Sequence, residues 1–346
     1  MGNNRVLMAM SGGLDSTVAV SLLKEAGWEV TGVTFIMHDD FQDLESAEKA
    51  ASSLNIDWFS YDCRSLFRQN VMDSFIDSYM LGDTPNPCIQ CNKNVKMPTL
   101  CDLAIRGGFS KAATGHYIIN RFDSESGLWR LRKARDLSKD QSYVLYMLDQ
   151  RQLSMLLFPT GEYTKDEIRA KAIDLGLAAV DRPESQDICF IPDGDYHAFI
   201  HRQRGEVDRP GDFESADGKK LGRHRGLTAY TTGQRRGLGV SSDRRLYVLR
   251  KDSGRNVVVL GDNDELFSSE LNAFDMCYVS GAIPTEPFEA EGKVRYSQHT
   301  SPCTVYPIEG DRARVVFKKA QRAITPGQSV VLYSGDELIG GGRIGV

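Results

Sequence analysis

Apolar positions in the first third of the chain follow two alternating periodicities. Short continuous apolar runs, typical of buried strands, lie at 5–10, 30–37, 56–62 and 111–118. Between them, apolar positions recur at helical spacing over 17–26, 43–54 and 66–81, and Gly27 is placed to end the first helix. Strands that alternate with helices predict βαβ units and a parallel sheet covered on both faces.

The pattern changes near residue 200. Residues 205–239 are rich in Gly, Arg and Asp, and helical periodicity disappears from residue 257 onward. Short β-like runs separated by turn residues follow, at 257–260, 292–296, 303–308, 313–317 and 329–333. The chain is therefore predicted to be an α/β protein with an N-terminal parallel-sheet domain (1–197), a small mixed central domain (198–264) and a C-terminal antiparallel β-barrel (265–346).

Composition places this chain among ordinary globular proteins. Its 346 residues are 41% hydrophobic and 26% charged, and no apolar run approaches the ~18 residues that span a bilayer. The apolar run at 6–10 is too short for a signal peptide, so a cytoplasmic protein without a membrane partner is expected. Seven cysteines are too few for a disulfide scaffold and favour metal, redox or nucleophilic chemistry.

Charge is distributed unevenly along the chain. Residues 201–256 contain 14 basic and 7 acidic side chains, a formal charge of +7. Because the whole chain carries −5, the remainder carries −12. A basic stretch in an acidic protein indicates contact with a polyanion such as nucleic acid, and a solvated basic face is the alternative.

The segment Ser-Gly-Gly-Leu-Asp-Ser at 11–16 joins the first predicted strand to the first predicted helix. Gly12 and Gly13 permit a tight turn and close approach of the backbone to a phosphate. Free N–H groups at a helix start favour an anion, and Asp15 suits a Mg²⁺ ion that accompanies phosphates. The Walker A and Rossmann spacings are both missing, so this loop is predicted to bind phosphate in another way.

Two prolines lead into a CxxC pair, Cys88 and Cys91. Four interpretations stay open: half of a zinc site, a redox dithiol, a single nucleophile, or two buried bystander thiols. Cys189 follows an unusually polar stretch at 184–187, so both a functional thiol and a packed one are open there. His197 and His201 have i,i+4 spacing, but residue 198 is Ala, which excludes an HExxH metalloprotease.

Eight segments, in this order along the whole chain, resemble those of the bacterial tRNA-specific 2-thiouridylases, a family of PP-loop ATP pyrophosphatases. The segments are AMSGGLDS at 9–16, TPNPCIQCN at 84–92, ATGHY at 113–117, KDQSY at 139–143, ESQDICFI at 184–191, TGQRRGLG at 232–239, VRY at 294–296 and TPGQ at 325–328. The resemblance implies that ATP, with Mg²⁺, adenylates O2 of a wobble uridine. A cysteine persulfide then delivers sulfur to C2, and AMP leaves.

The resemblance also implies a role for individual residues. Cys91 resembles the nucleophilic thiol, Cys189 the persulfide carrier, and Asp15 a catalytic Mg²⁺ ligand. The implied ATP-binding residues are Ala9, Met10, Ser11, Gly12, Gly13, Leu14, Asp15, Ser16, Phe35 and Gly115. The implied tRNA-binding residues are Asn86, Pro87, Cys88, His116, Lys139, Asp140, Gln141, Arg295, Tyr296 and Gln328, and the basic stretch adds Arg235 and Arg236.

Several alternatives remain at this stage. Position 88 is Cys where some family members carry Asp, and Cys88, Cys91 and Cys189 are also a potential ligand set for a [4Fe–4S] cluster. A sulfur-donor protein, either a cysteine desulfurase or a relay sulfurtransferase, is an expected partner beside tRNA. The rival functions are a small-molecule PP-loop synthetase that forms an amide or guanidinium group, and a non-catalytic RNA-binding protein with a cysteine metal site.

Overall fold

The computed structural model describes residues 4–39, 42–177, 188–205 and 207–345. The polar stretch 184–187 noted in the sequence lies outside these residues. None of the helices described is long and apolar enough to cross a bilayer.

The N-terminal α/β unit alternates strands and helices as the apolar pattern predicts. The strands of its parallel sheet are β1 (Arg5–Ala9), β2 (Glu29–Ile36), β3 (Asp57–Asp62), β4 (Lys111–Thr114) and β7 (Leu156–Leu157). Its helices are α1 (Leu14–Glu25), α2 (Gln42–Ser53), α3 (Arg64–Phe67), α4 (Ser74–Met80), α5 (Pro87–Cys91), α6 (Met97–Arg106), α7 (Gln150–Met155), α8 (Lys165–Asp174) and α9 (Tyr196–Arg204). Two π-helical turns, 68–73 and 92–96, connect α3 to α4 and α5 to α6.

The order of the parallel strands locates a crevice. The sheet runs β3-β2-β1-β4-β7, so the chain moves outward from β1 to β3 and then returns to the other side of β1. The carboxyl ends of β1 and β4 are therefore neighbours, with Ala9 paired to Thr114. Ligands of open α/β sheets bind at such a switch point. Two apolar clusters cover the faces of this sheet, as two-sided burial requires.

The central region is a four-stranded mixed sheet in the order β10-β11-β8-β9. Its strands are β8 (Gly211–Ser215), β9 (Lys220–His224), β10 (Tyr247–Asp252) and β11 (Val257–Gly261). The pairing of β11 with β8 is parallel and the other two pairings are antiparallel. Phe213, Val248 and Val258 pack in its own small core.

The C-terminal region is an antiparallel barrel of six strands that closes because the first strand also pairs with the last. These strands are β12 (Phe267–Tyr278), β13 (Phe288–Lys293), β14 (Ser301–Ile308), β15 (Arg312–Arg322), β16 (Ser329–Ser334) and β17 (Glu337–Ile344). A hairpin from the N-terminal unit, β5 (Ile118–Asp123) and β6 (Leu128–Lys133), joins the outside of β17 through one residue pair, Arg132 with Glu337. The predicted fold class is confirmed: α/β unit, mixed central sheet and antiparallel barrel.

Several predicted elements were wrong in extent. The strand expected at 292–296 is β13 at 288–293, because Val294, Arg295 and Tyr296 continue into a turn. The strand expected at 111–118 ends at Thr114, where Gly115 approaches α1 and the chain turns away. The helix predicted over 66–81 is confirmed as a continuous helical run from 64 to 80, but its middle part, 68–73, is π-helical.

Candidate functional site

The loop at 11–13 opens directly into α1 at the switch point. Gly12 has a φ of +71°, and a Cβ there would collide with the backbone of α2 at Ala47, so only glycine fits. Gly13 is the N-cap, and no side chain caps the helix start. The Ser16 hydroxyl donates to the Gly13 carbonyl at 3.0 Å and lies 3.3 Å from the Ser11 hydroxyl. The first-turn N–H groups of α1, together with two hydroxyls, form an anion cradle.

Asp15 lies in the first turn of α1 and has two partners from distant segments. Its carboxylate accepts from the Lys165 ammonium at 2.7 and 2.9 Å and from the Tyr117 hydroxyl at 2.7 Å. Lys165 is the first residue of α8, whose start is fixed by a capping box between Thr164 and Glu167. Lys165 was missed in the sequence, where the threonine-to-glutamate spacing of the capping box was a signal for the helix start. Tyr117 lies in the segment 113–117 noted there, but no role was given to it.

Gly115 and His116 form the opposite wall of the crevice. A Cβ on Gly115 would lie 2.9 Å from the Ser16 nitrogen, so a side chain there would push against the first turn of α1. His116 shares a hydrogen bond of 2.9 Å between its Nδ1 and the Thr114 hydroxyl. Burial, with a smaller effect from Lys96, lowers the pKa of His116 to about 3, so the imidazole is neutral at physiological pH. Phe35, near the end of β2, is partly buried against two apolar clusters, one of which contains Cys91.

The CxxC pair lies on α5, which begins in a way the sequence explains. The Asn86 side chain accepts from the Cys88 nitrogen at 3.1 Å and from the Ile89 nitrogen at 3.4 Å. Pro87 occupies the first helical position, where a missing N–H costs nothing. The structure thus gives Asn86 and Pro87 a local role in building the helix that carries both thiols.

The two thiols of the pair differ in exposure. Cys88 is exposed, whereas Cys91 is 6% exposed and its sulfur lies 3.8 Å from the sulfur of Met37 beyond β2. Burial raises the pKa of Cys91 to about 11, and Cys189 and Cys88 also contribute to the increase. Cys91 is therefore a protonated thiol at neutral pH in this arrangement.

Folding places the residues that follow Cys189 in the apolar cluster of Cys91, although 97 residues lie between the two cysteines. Phe190 and Ile191 belong to this cluster, and Cys189 contributes to the raised pKa of Cys91. Cys189 itself is exposed. Of the other thiols, Cys63, Cys101 and Cys303 are buried and Cys277 is partly buried. Cys91 is thus a buried thiol, whereas Cys88 and Cys189 are exposed.

Lys96 is a second cation that the sequence did not single out. It ends the π-helical turn that precedes Pro98, a residue whose ring and missing N–H disturb regular α-helical bonding. The Lys96 ammonium acts electrostatically on both Cys91 and His116, lowering the pKa of each. The charge of Lys96 thus acts on both the thiol of Cys91 and the imidazole of His116.

All three regions of the chain meet at residues 83 and 84, just before the CxxC segment. The Gln328 side chain donates to the Thr84 carbonyl at 2.7 Å, and the Thr84 nitrogen donates to the Pro326 carbonyl at 2.9 Å. From the central sheet, the Lys251 ammonium donates to the Tyr230 carbonyl at 2.9 Å and to the Asp83 carbonyl at 3.4 Å. Barrel and central sheet thus fix the approach to Cys88.

Tyr296 lies beside Tyr143, with ring centroids 5.9 Å apart, and the Lys293 ammonium is 5.5 Å from the centre of its ring. Burial raises the pKa of Tyr296, and Asp140 and Cys88 add to the effect. The Arg295 guanidinium donates to the Ala323 carbonyl at 2.7 Å and to the Thr325 hydroxyl at 3.0 Å, which holds the turn that carries Tyr296. Tyr296 is 45% exposed and is available to a large substrate.

The three residues at 139–141 differ in burial and in hydrogen-bond partners. Asp140 is buried and accepts from the Ala134 nitrogen at 3.0 Å and the Ser142 hydroxyl at 2.6 Å, which favours a structural role over contact with RNA. The Gln141 side chain accepts from the Tyr117 nitrogen at 2.9 Å and positions the Asp15 partner. Lys139 is partly exposed beside them.

Arg235 and Arg236 are exposed on the central region. Arg235 lines an open surface depression of about 240 Å³ together with Arg244 and Arg245. Arg244 is paired with Asp262 at 2.6 Å. Gly233, two residues before Arg235, packs against the barrel near Arg295 and Arg322. The basic surface thus continues from the central region to the barrel.

Comparisons with known proteins agree with this three-part organisation. Family models match residues 4–193 ("tRNA methyl transferase HUP domain"), 197–262 ("tRNA methyl transferase PRC-barrel domain") and 268–344 ("Aminomethyltransferase beta-barrel domain"). The chain is thus a HUP-domain protein with two β domains appended. The predicted boundaries at 197/198 and 264/265 stay predictions.

Full-length relatives narrow the assignment. A tRNA-specific 2-thiouridylase MnmA from Acetivibrio thermocellus is 40% identical over 99% of this chain and 100% of the relative. Proteins of the same name from Roseiflexus castenholzii and Clostridium acetobutylicum are each 41% identical, over 98% and 99% of this chain. The chain belongs to the family of tRNA-specific 2-thiouridylases.

Proposed function

We propose that this protein is an ATP-dependent tRNA-uridine 2-sulfurtransferase. ATP binds at the cradle of α1, between the loop 11–13 and Gly115, and O2 of a tRNA uridine attacks its α-phosphorus. Pyrophosphate leaves, and the uridine carries an adenylate on O2. The urea-like carbonyl oxygen is a poor leaving group, whereas AMP is a good one, so activation permits substitution by sulfur.

The sulfur step uses two thiols. The terminal sulfur of a Cys189 persulfide attacks C2, and AMP departs with the former O2. The Cys91 thiol then attacks the Cys189 sulfur, which breaks the S–S bond to the base and forms a Cys91–Cys189 disulfide. The transferred sulfur gains two electrons and the two thiols lose them, with two protons released. A thiol reductant restores the pair for the next cycle.

The observation that supports this proposal is that Cys91 packs in one apolar cluster with Phe190 and Ile191, which follow Cys189, in the same unit whose switch point carries the loop 11–13. The exposure of Cys189 suits a persulfide carrier, because a carrier must be reached by a donor protein. The resolving thiol is better kept protonated until it is needed, and Cys91 is buried with a raised pKa. The charge of Lys96 lowers the pKa of Cys91 and of His116, and at Cys91 it favours formation of the thiolate.

Magnesium fits this site only with a rearrangement. Asp15 is the carboxylate expected to hold Mg²⁺, yet it is already neutralised by Lys165. Asp15 would hold Mg²⁺, and Lys165 would then pair with a phosphate oxygen of ATP instead. A bound ion would supply charge neutralisation at the departing pyrophosphate.

The basic surface around Arg235, the exposed Tyr296 and the junction at Thr84 form the proposed tRNA-binding face. Adenylation of a small molecule would need neither this face nor the cysteines. A non-catalytic RNA-binding protein would need neither the cradle nor Lys165. A cytoplasmic location and a persulfide-carrying sulfur-donor protein are parts of the same proposal.

The deciding experiment combines two measurements on the full-length protein. Release of pyrophosphate from ATP is measured with and without tRNA, and nucleosides from tRNA incubated with ATP, Mg²⁺ and a sulfur source are analysed by mass spectrometry. We expect tRNA-dependent pyrophosphate release and 2-thiouridine. Pyrophosphate release without tRNA would support a small-molecule synthetase, and tRNA binding without pyrophosphate release would support a non-catalytic protein.

A further inference from the structure

Helix α9 carries two histidines on the face opposite its buried residues. Phe199 and Ile200 pack into the apolar cluster that contains Cys91. His197 and His201, one turn apart, point toward the central region, and their ring centroids are 4.6 Å apart. The proposed sulfur transfer uses neither ring.

Both imidazoles converge on one oxygen of a buried carboxylate. Nε2 of His197 and of His201 lie 2.5 and 2.8 Å from Oδ2 of Asp208. The Asp208 side chain is only 8% exposed, although it lies on the connection between α9 and the central sheet. Its other oxygen, Oδ1, accepts a hydrogen bond from the Thr228 hydroxyl.

We propose that His197, His201 and Asp208 form a binding site for a zinc-like divalent cation. Within the described part of the chain, these are the residues whose donor atoms lie close enough together, all within 4.8 Å of one another, to hold a metal ion. Two imidazole nitrogens and one carboxylate oxygen are a common zinc donor set, with a water molecule completing the tetrahedron.

The geometry needs little adjustment to admit the ion. Donor atoms about 2.0–2.1 Å from a tetrahedral zinc ion are about 3.3 Å apart. The nitrogens therefore move back from Oδ2 by less than about 1 Å, which side-chain rotation allows. The Thr228 hydrogen bond orients the carboxylate in the way that outer partners orient metal ligands. Gly226 passes so close to Asp208 that a Cβ would collide with its carboxylate, so the ligand is held by the turn 226–228.

The expected role of the ion is to clamp the central region to the catalytic unit. It would join α9, which packs on the Cys91 cluster, to the connection that precedes β8 and to the turn 226–228 that follows β9. Ala198 occupies the position of the base in HExxH enzymes, so the site lacks the helix-borne carboxylate of a zinc hydrolase. This inference does not depend on the proposed thiolation.

The test must distinguish this site from the cysteines, which also bind zinc. Metal-free full-length protein is titrated with Co²⁺, and the visible and near-ultraviolet spectra are recorded. We expect one ion per chain with a tetrahedral d–d band, and this band is expected to persist in a Cys88→Ser/Cys189→Ser variant. His197→Gln and His201→Gln are each expected to lower the affinity at least about tenfold, whereas His299→Gln, an exposed control, leaves it unchanged.

A second readout reports the clamp directly. Hydrogen exchange is followed in α9 and in the turn 226–228, and Zn²⁺ is expected to slow exchange in both for the native protein and in neither for His201→Gln. Circular dichroism identifies any variant that fails to fold. If one histidine variant is unfolded, the metal affinity of the other histidine variant tests the proposal. Binding that is unchanged in both histidine variants, lost in the cysteine variant, or undetectable at millimolar metal would overturn the proposal.

Discussion

The Lys165 ammonium and the Asp15 carboxylate form an ion pair with both carboxylate oxygens, although 149 residues separate them. The side chain of Lys165 is 10% exposed, so the pair is poorly screened by water. It places a positive charge at the mouth of an anion cradle before any nucleotide is present. Lys165 would be free to pair with a phosphate oxygen if Asp15 held Mg²⁺.

The first prediction concerns this pair. Lys165→Gln and Asp15→Ala should each lower ATP–pyrophosphate exchange by about 10²-fold or more, because each removes a charge that stabilises the transition state. Lys171→Gln is the matched control, since Lys171 lies on the same helix and pairs with Glu25 at 2.8 Å far from the cradle. Full exchange activity in Lys165→Gln would show that the ion pair stabilises the fold and does not act in adenylation.

The second prediction uses the close approach of Gly115 to α1. A methyl group at this position would meet the Asp15–Ser16 backbone at about 3 Å, and the helix start must shift to relieve the contact. Gly115→Ala should therefore weaken ATP binding at least about tenfold, since the cradle donors lose their alignment. Gly254→Ala, where the nearest atom is 3.6 Å away, should bind ATP normally. Calorimetric titration with ATP measures both.

The sequence pattern predicted the turn from β1 into α1 at 11–13 because a strand, two glycines and a helix are contiguous there. It failed where the determinant is distant in the chain. Strand β17 contains Gly340, Gly341 and Gly342, which resemble a turn in the sequence. In the barrel they form a strand, and they must be glycine because the neighbouring backbone at Cys277, Val330 and Phe274 leaves no room for a Cβ. Lys165 and Lys96 likewise look like surface lysines in the sequence. Only the folded structure shows that Lys165 pairs with Asp15 and that Lys96 acts on Cys91 and His116.

The third prediction tests the basic surface. Arg235→Ala/Arg236→Ala should weaken tRNA binding and reduce the slope of log affinity against log salt by about 1–2, since each phosphate contact contributes about 0.7–0.9. ATP binding should not change. Arg106→Ala/Arg312→Ala is the control, because these side chains are engaged by Asp102 and the Glu309 carbonyl. An unchanged salt slope in the first variant would exclude these arginines from the interface.

The fourth prediction concerns pH. The folded protein holds the pKa of His116 near 3, below its usual 6.5, so between these values the unfolded chain binds a proton that the folded chain does not. Stability should therefore fall as pH decreases below about 6.5, with a contribution of at most one proton per molecule. Urea unfolding at pH 7, 6 and 5 should show a shallower decline for His116→Asn. The exposed residue His299, changed to Asn, should leave the decline as it is.

The last prediction separates the thiols. Cys91→Ser and Cys189→Ser should each abolish 2-thiouridine formation but retain pyrophosphate exchange, because activation precedes sulfur transfer. Cys277→Ser should remain active, since that thiol is partly buried on β12. Alkylation should label Cys88 and Cys189 first, and Cys91 should react faster as pH rises from 7 to 9 because its pKa is about 11. Peptide mass spectrometry follows all three sites.

Cys88→Ser distinguishes the persulfide from the iron–sulfur cluster. A cluster would use Cys88 as its third ligand, so the variant would lose both iron and activity. In the persulfide mechanism Cys88 takes no part in the electron balance, and its loss should lower activity far less than loss of Cys91. Anaerobically purified protein should then be colourless and active without iron. Activity that depends on iron, or an active Cys189→Ser variant, would show instead that sulfur does not travel through Cys189.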